Sequence, residues 1–207
     1  MKQQPEQYLQ DLAEIREMMS KSSKFLSLSG ISGILIGCFA ITGALLAYPI
    51  LYGLNGLNGY HDLSIVAKWQ ILSIAVIVLL LSAACSVALT SRKAKNIKQA
   101  LWGKQAKQLL YEMGIPLACG GVLSLILLFN NGLQWVFAIT LVFYGLALFN
   151  AGRMTYKEIR TLGLLQIAGG LAAAILPEFG LFFWTLGFGV LHIIYGSFMH
   201  FQYERKP

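Results

Sequence analysis

GLLQIAGGLAAAILPEFGLFFWTLGFGVLHIIYG, residues 163–196, contains a single charged residue, Glu178, and a single histidine, His192. Two apolar runs meet at Pro177-Glu178. An uncharged run of about 20 residues crosses a bilayer core as a helix. The stretch therefore predicts a membrane hairpin, with its first arm (162–176) short and its second (179–201) ample.

The rest of the chain repeats that pattern. Of 207 residues 57% are hydrophobic and 12% charged, whereas soluble domains carry roughly 25% charged residues. Apolar runs over 25–51, 65–89, 114–129, 133–149, 162–176 and 179–201 predict six spans. The fold class expected is thus all-α integral membrane, six transmembrane helices in three hairpins, with cytoplasmic amphipathic helices at the edge. The first run follows the polar segment 1–24 and is too long for a cleaved signal peptide, so it is read as a span.

Charge gives the expected threading. Lys68 is the only one of the 16 Lys and Arg on the alternate connections; all others lie before span one, between spans two and three, between four and five, or after six. By the positive-inside rule both termini are cytoplasmic, as an even number of spans also requires. Trp69 and Trp135 fall at expected outer ends of spans, where interfacial tryptophan is favoured. This distribution turns the +7 net charge toward a membrane surface, and no nucleic-acid partner is expected. Cys38, Cys85 and Cys119 all fall inside spans with no CxxC neighbour, which reads as small apolar packing.

The second and third hairpins resemble each other. A shift of 49 residues places Gly120-Gly121 on Gly169-Gly170, Leu127 on Leu176 and Trp135 on Trp184; a two-residue gap then brings Tyr144-Gly145 onto Tyr195-Gly196. The first hairpin matches more loosely, with Gly33 and Gly37 before Pro49. Parallel hairpin repeats arrange equivalent helices around an axis along the membrane normal. The stretch quoted above, with its glycine-spaced span, turn proline and late glycines, resembles the hairpin repeat of the HdeD-like family of small six-span bacterial inner-membrane proteins. Residues 114–152 share the pattern less closely, with Asn130-Asn131 in place of a turn proline. The resemblance implies a protein of the bacterial cytoplasmic membrane, linked in some members to acid stress, with no catalytic residues to carry over. A related family of small six-span proteins is similar too.

Two polar segments suggest partners. Residues 5–20 place Tyr8, Leu12, Ile15 and Met19 on one helical stripe beside Glu6, Asp11, Glu14 and Glu17. A helix this short needs a surface to hold it. The connection 91–113 carries six cations and an apolar set of Ile97, Leu101, Trp102 and Leu109. Either the acidic helix docks on the basic one, within a chain or across a homo-oligomer, or the basic segment lies on lipid headgroups. A cytoplasmic protein partner for both segments is a further expectation.

His192 is the candidate functional residue. Gly189 and Gly196 flank it at helical spacing, so it should face protein, as ionisable groups inside membranes usually do. Counting from residue 178, His192 is fourteen residues in and Gln166 twelve, at nearly one depth; Tyr144, thirteen past Asn131, is at similar depth. A polar layer of His192, Gln166 and Tyr144 is therefore expected, with Gln166 set among Gly163, Gly169 and Gly170. Bonds of this kind average about 0.6 kcal/mol in membranes. The layer reads as packing, with a proton relay as the alternative, since histidine titrates nearest neutrality. His200 stands eight residues further on, roughly 12 Å of helical rise away, so the two cannot share one haem iron. No cofactor and no metal are expected. A second small-residue stripe, Gly30, Gly33 and Gly37 with Ala40 and Ala44, predicts a packing seam on span one. With no nucleophile–base pair and no phosphate loop, the expected role is non-enzymatic, through helix packing and partner contacts. The alternative is a small oligomeric transporter or channel for a neutral or small solute.

Overall fold

Inside a bilayer the backbone has no water to bond, so each apolar run satisfies its own N–H and C=O groups as a helix. The computed structural model describes residues 29–53, 63–96 and 103–204. Among them are six helices long and apolar enough to cross a membrane, and no strand. They are α1 Gly30–Tyr52, α2 Ile65–Asn96, α3 Lys104–Phe129, α4 Leu133–Ala151, α5 Lys157–Ile175 and α6 Pro177–Tyr203. The chain is an all-α, multi-pass membrane protein. Six crossings return it to the end where α1 began, called here the near end; the turns at 130–132 and 176–179 mark the far end.

The short spans are longer than their apolar runs. α3 opens at Lys104 and α5 at Lys157, ahead of the expected 114 and 162. Basic side chains can lay their stems on the bundle and keep the charge at its edge: the Arg160 guanidinium lies 4.4 Å from the centroid of the Phe149 ring. The basic helix expected over 91–113 is described only at its two ends. Residues 91–96 continue α2 and 104–113 open α3, while 97–102 lie outside the described residues, as does the acidic segment 5–20. Leu109 is buried with Ala106 against Leu148, Ala151 and Ile159, so this part of the basic segment packs on neighbouring helices.

The turn between α3 and α4 explains its asparagines. Asn131 takes the left-handed conformation (φ 59°), and the Gly132 N–H donates to the Leu127 carbonyl at 2.7 Å. This is a Schellman-type stop, in which asparagine is the usual substitute for glycine.

Glycines set the helix seams. A Cβ on Gly196 of α6 would lie 2.5 Å from the Ile34 amide nitrogen and 2.6 Å from the Gly30 carbonyl oxygen. One on Gly33 would lie 2.9 Å from the Gly196 Cα, and one on Gly37 2.5 Å from the Gly189 carbonyl oxygen. Here α1 and α6 touch backbone to backbone. α4 and α5 do the same: a Cβ on Gly145 or on Gly163 would lie 2.7 Å from the other's carbonyl oxygen, and one on Gly170 2.9 Å from the Val142 nitrogen. Gly169 departs from expectation. A Cβ there would meet nothing within 4 Å, because one residue's step turns it about 100° from the seam that Gly170 occupies.

The structure clarifies the repeat. The first helix of each hairpin carries glycines seven apart: Gly30/Gly37, Gly114/Gly121 and Gly163/Gly170. The first pair receives α6 and the third receives α4, in each case the second helix of another hairpin. The middle pair, on α3, meets nothing. α2 leans on α1 instead, and 0% of its most apolar window is buried.

Candidate functional site

Tyr144 of α4, Gln166 of α5 and His192 of α6 come together in one polar layer beside Leu141. Gln166 is fully buried (0% exposed) and His192 nearly so (3%). Both converge on one atom that the sequence reading did not single out, the carbonyl oxygen of Gly187. The Gln166 Nε2 donates to it at 2.9 Å, and the His192 Nδ1 lies 3.0 Å from it.

That geometry fixes the roles around the ring. A carbonyl only accepts, so the Nδ1 carries the proton and donates. In the neutral ring the Nε2 is then the lone-pair nitrogen, and the Tyr144 hydroxyl, 2.8 Å away, donates to it. The 3.4 Å approach of the Gln166 Nε2 to the Nδ1 is two donors side by side on one acceptor. The direct Gln166–His192 bond expected from depth is thus replaced by a shared carbonyl, whereas the Tyr144–His192 bond is made.

Local winding supplies that carbonyl. Residues Thr185–Leu191, TLGFGVL, wind as a π-helix, and His192 restarts the α-helix. Widened turns of this kind turn backbone groups toward side chains and gather at functional sites. A Cβ at Gly187 would strike the Gln166 Oε1 and lie 2.5 Å from the Leu141 Cδ2, so any larger residue there would have to turn both side chains aside. Aromatic rings close the side. Phe188 stacks on His192 with centroids 6.0 Å apart and planes 11° apart, and Trp184 and Tyr144 lie 4.9 and 4.8 Å from Phe188.

One group stays unsatisfied. The Gln166 Oε1 is buried with no hydrogen-bond partner, resting instead on the Cα side of Gly187, where only a weak C–H···O contact is available. This orphan makes a prediction. Gln166→Leu removes a buried acceptor that bonds to nothing, and His192 still holds the Gly187 carbonyl. Thermal unfolding in detergent should therefore shift by no more than about 1 kcal/mol in either direction.

Chemically the layer can lock three helices in register. Among the described residues no group of three His, Cys, Asp or Glu could hold a metal ion. The three cysteines are free, with Cys38 and Cys119 exposed on apolar spans. Gly187 was missed because TLGFGVL looks like packing filler, though its two glycines, 187 and 189, mark the place where the helix widens. No family model, no curated protein and no solved structure matches this chain.

Proposed function

We propose that the protein is a non-enzymatic, multi-pass protein of the bacterial cytoplasmic membrane that works through helix packing and contacts with other chains. The near end faces the cytoplasm in this reading, since the basic connections lie there. The observation that carries it is the uncovered glycine face of α3. Two of the three equivalent glycine pairs take a helix to backbone contact, and the third, Gly114/Gly121, is open. Ala118 extends that face, so it reads Gly-x-x-x-Ala with a further glycine, the pattern through which membrane helices pair.

The occupant is a second copy, seated through its own α3. A two-fold pairing of one face with itself closes the assembly. α2 of the same chain meets α3 only at the far end, where the Lys68 Nζ bonds the Asn131 Oδ1 at 2.6 Å, and otherwise leans on α1, clear of Gly114 and Gly121. Exposed cations at the near end, Arg92, Lys95, Lys107 and Arg153, suit the acidic segment 5–20 or an acidic partner protein. The HdeD-like resemblance points the work of such an assembly toward envelope or acid stress.

Gly121→Leu tests the reading. A Cβ there meets nothing within 4 Å, so thermal stability should hold while native mass spectrometry shifts from dimer to monomer. A wild-type monomer at every concentration, or a dimeric Gly121→Leu, contradicts it. The orphaned Gln166 Oε1 favours a second reading, a passage for a small neutral solute that would bond there. Stopped-flow shrinkage of proteoliposomes in urea or glycerol gradients separates the two: a rate above that of empty vesicles, lost in Gln166→Leu, supports passage.

A further inference from the structure

The near end gathers cations around one turn. Residues 152–156 join α4 to α5 there, and the end of α2 reaches them: the Lys93 Nζ lies 5.9 Å from the centroid of the Tyr156 ring. Tyr156 packs in turn on Tyr203 of α6, with ring centroids 4.7 Å apart. The Tyr203 hydroxyl donates to the Glu158 Oε1 at 3.1 Å. Around this junction Arg92 and Lys95 of α2, Arg153 of the turn and Lys157 of α5 are all exposed. A surface of one sign favours an occupant of the other.

Length lifts part of that surface out of the bilayer. Trp69 marks the far interface, 54% exposed. From there to Lys95 α2 rises roughly 39 Å, against about 30 Å of hydrocarbon. Arg92 and Lys95 therefore stand among the near headgroups or beyond them, within reach of a segment that lies in water.

The chain supplies such a segment. Residues 5–20, outside the described residues, carry Glu6, Asp11, Glu14 and Glu17 against Arg16 alone. α1 begins at the near end, and residues 21–28 before it span at most roughly 28 Å when extended. Neighbouring helix axes are about 10 Å apart, so the link crosses two helices and still holds the segment over the near end. In the helix that the periodicity predicts, Asp11 and Glu14 fall on one side of the stripe Tyr8, Leu12, Ile15 and Met19, and Arg16 on the other. Anionic headgroups favour basic helices, so an acidic one is better held by protein.

From this placement of charge and chain we infer that segment 5–20 docks on the basic junction of its own chain, with Asp11 and Glu14 turned to Lys95 and Arg153. The short link keeps the segment at an effective concentration on the order of millimolar. An acidic partner protein then reaches these cations only by displacing it. The inference is independent of the α3 pairing proposed above, since neither Gly114 nor Gly121 takes part.

The test is photo-cross-linking of the full chain in vesicles of phosphatidylethanolamine and phosphatidylglycerol, from Ile15→p-benzoylphenylalanine. Peptide mapping should place the cross-link within the same chain, at 91–96 or 152–158. Asp11→Lys with Glu14→Lys should lower the yield roughly fivefold, and Lys95→Glu with Arg153→Glu likewise. All four changes together should restore it, a rescue that damage to the fold cannot produce. Cross-links to a second copy, to lipid or to other parts of the chain overturn the inference. So do yields that neither pair of changes lowers, or a loss that the combination leaves in place.

Discussion

Gly196→Val should abolish the stable fold. The new Cβ would lie 2.5 Å from the Ile34 nitrogen, 2.6 Å from the Gly30 carbonyl oxygen and 2.8 Å from the Gly33 carbonyl carbon. All three are backbone atoms inside a helix, so neither side can yield by turning a side chain. The helices must part, and the facing contacts at Gly33 and Gly37 part with them. Overpacking of a tight core usually costs 1–3 kcal/mol; with rigid backbone on both sides we expect about 3 kcal/mol or more. Size-exclusion profiles and thermal unfolding in mild detergent give the readout. Gly169→Val is the matched control, because a Cβ there meets nothing within 4 Å, and it should change stability by less than about 0.5 kcal/mol.

His192→Ala is the second large effect. The ring is 3% exposed and bonded on both nitrogens, so its removal leaves a cavity and strands the Tyr144 hydroxyl in an apolar wall. Cavity and unsatisfied donor together come to about 3 kcal/mol. Tyr144→Phe removes only the bond to the Nε2 and should cost about 1 kcal/mol. The double variant should cost less than the sum, since the first change already breaks the shared bond. Thermal unfolding of the four proteins closes this cycle. Additive costs would mean that the Tyr144–His192 bond contributes nothing to stability.

These effects were legible in the sequence to different degrees. Hydropathy placed six helices because a bilayer leaves a chain few other options. Depth counted from the turns brought His192, Gln166 and Tyr144 together, since helical rise is constant enough for such counting. What depth could not give was direction around α6. The π-wound turn at Thr185–Leu191 shifts the face that follows it, and it replaced an expected side-chain pair with a shared carbonyl at Gly187. Glycine stripes marked seams without saying which glycine faced which helix. Gly170 packs and Gly169 does not, a one-residue difference that composition cannot carry. The uncovered pair on α3 became visible only against the two filled ones. Lys68 read simply as the odd cation of the charge count, because its hydrogen-bond partner Asn131 is distant in sequence, at the α3–α4 turn.

The most direct test of assembly through α3 is a cross-link. A chain with Cys38, Cys85 and Cys119 changed to alanine and the single substitution Ala118→Cys would be oxidised in the native membrane. The same chain with Gly169→Cys instead, equally open but away from that face, serves as its reference. A covalent dimer from Ala118→Cys alone is the predicted result. A monomer from both, or equal cross-linking at the two positions, would contradict the pairing of α3 with its copy.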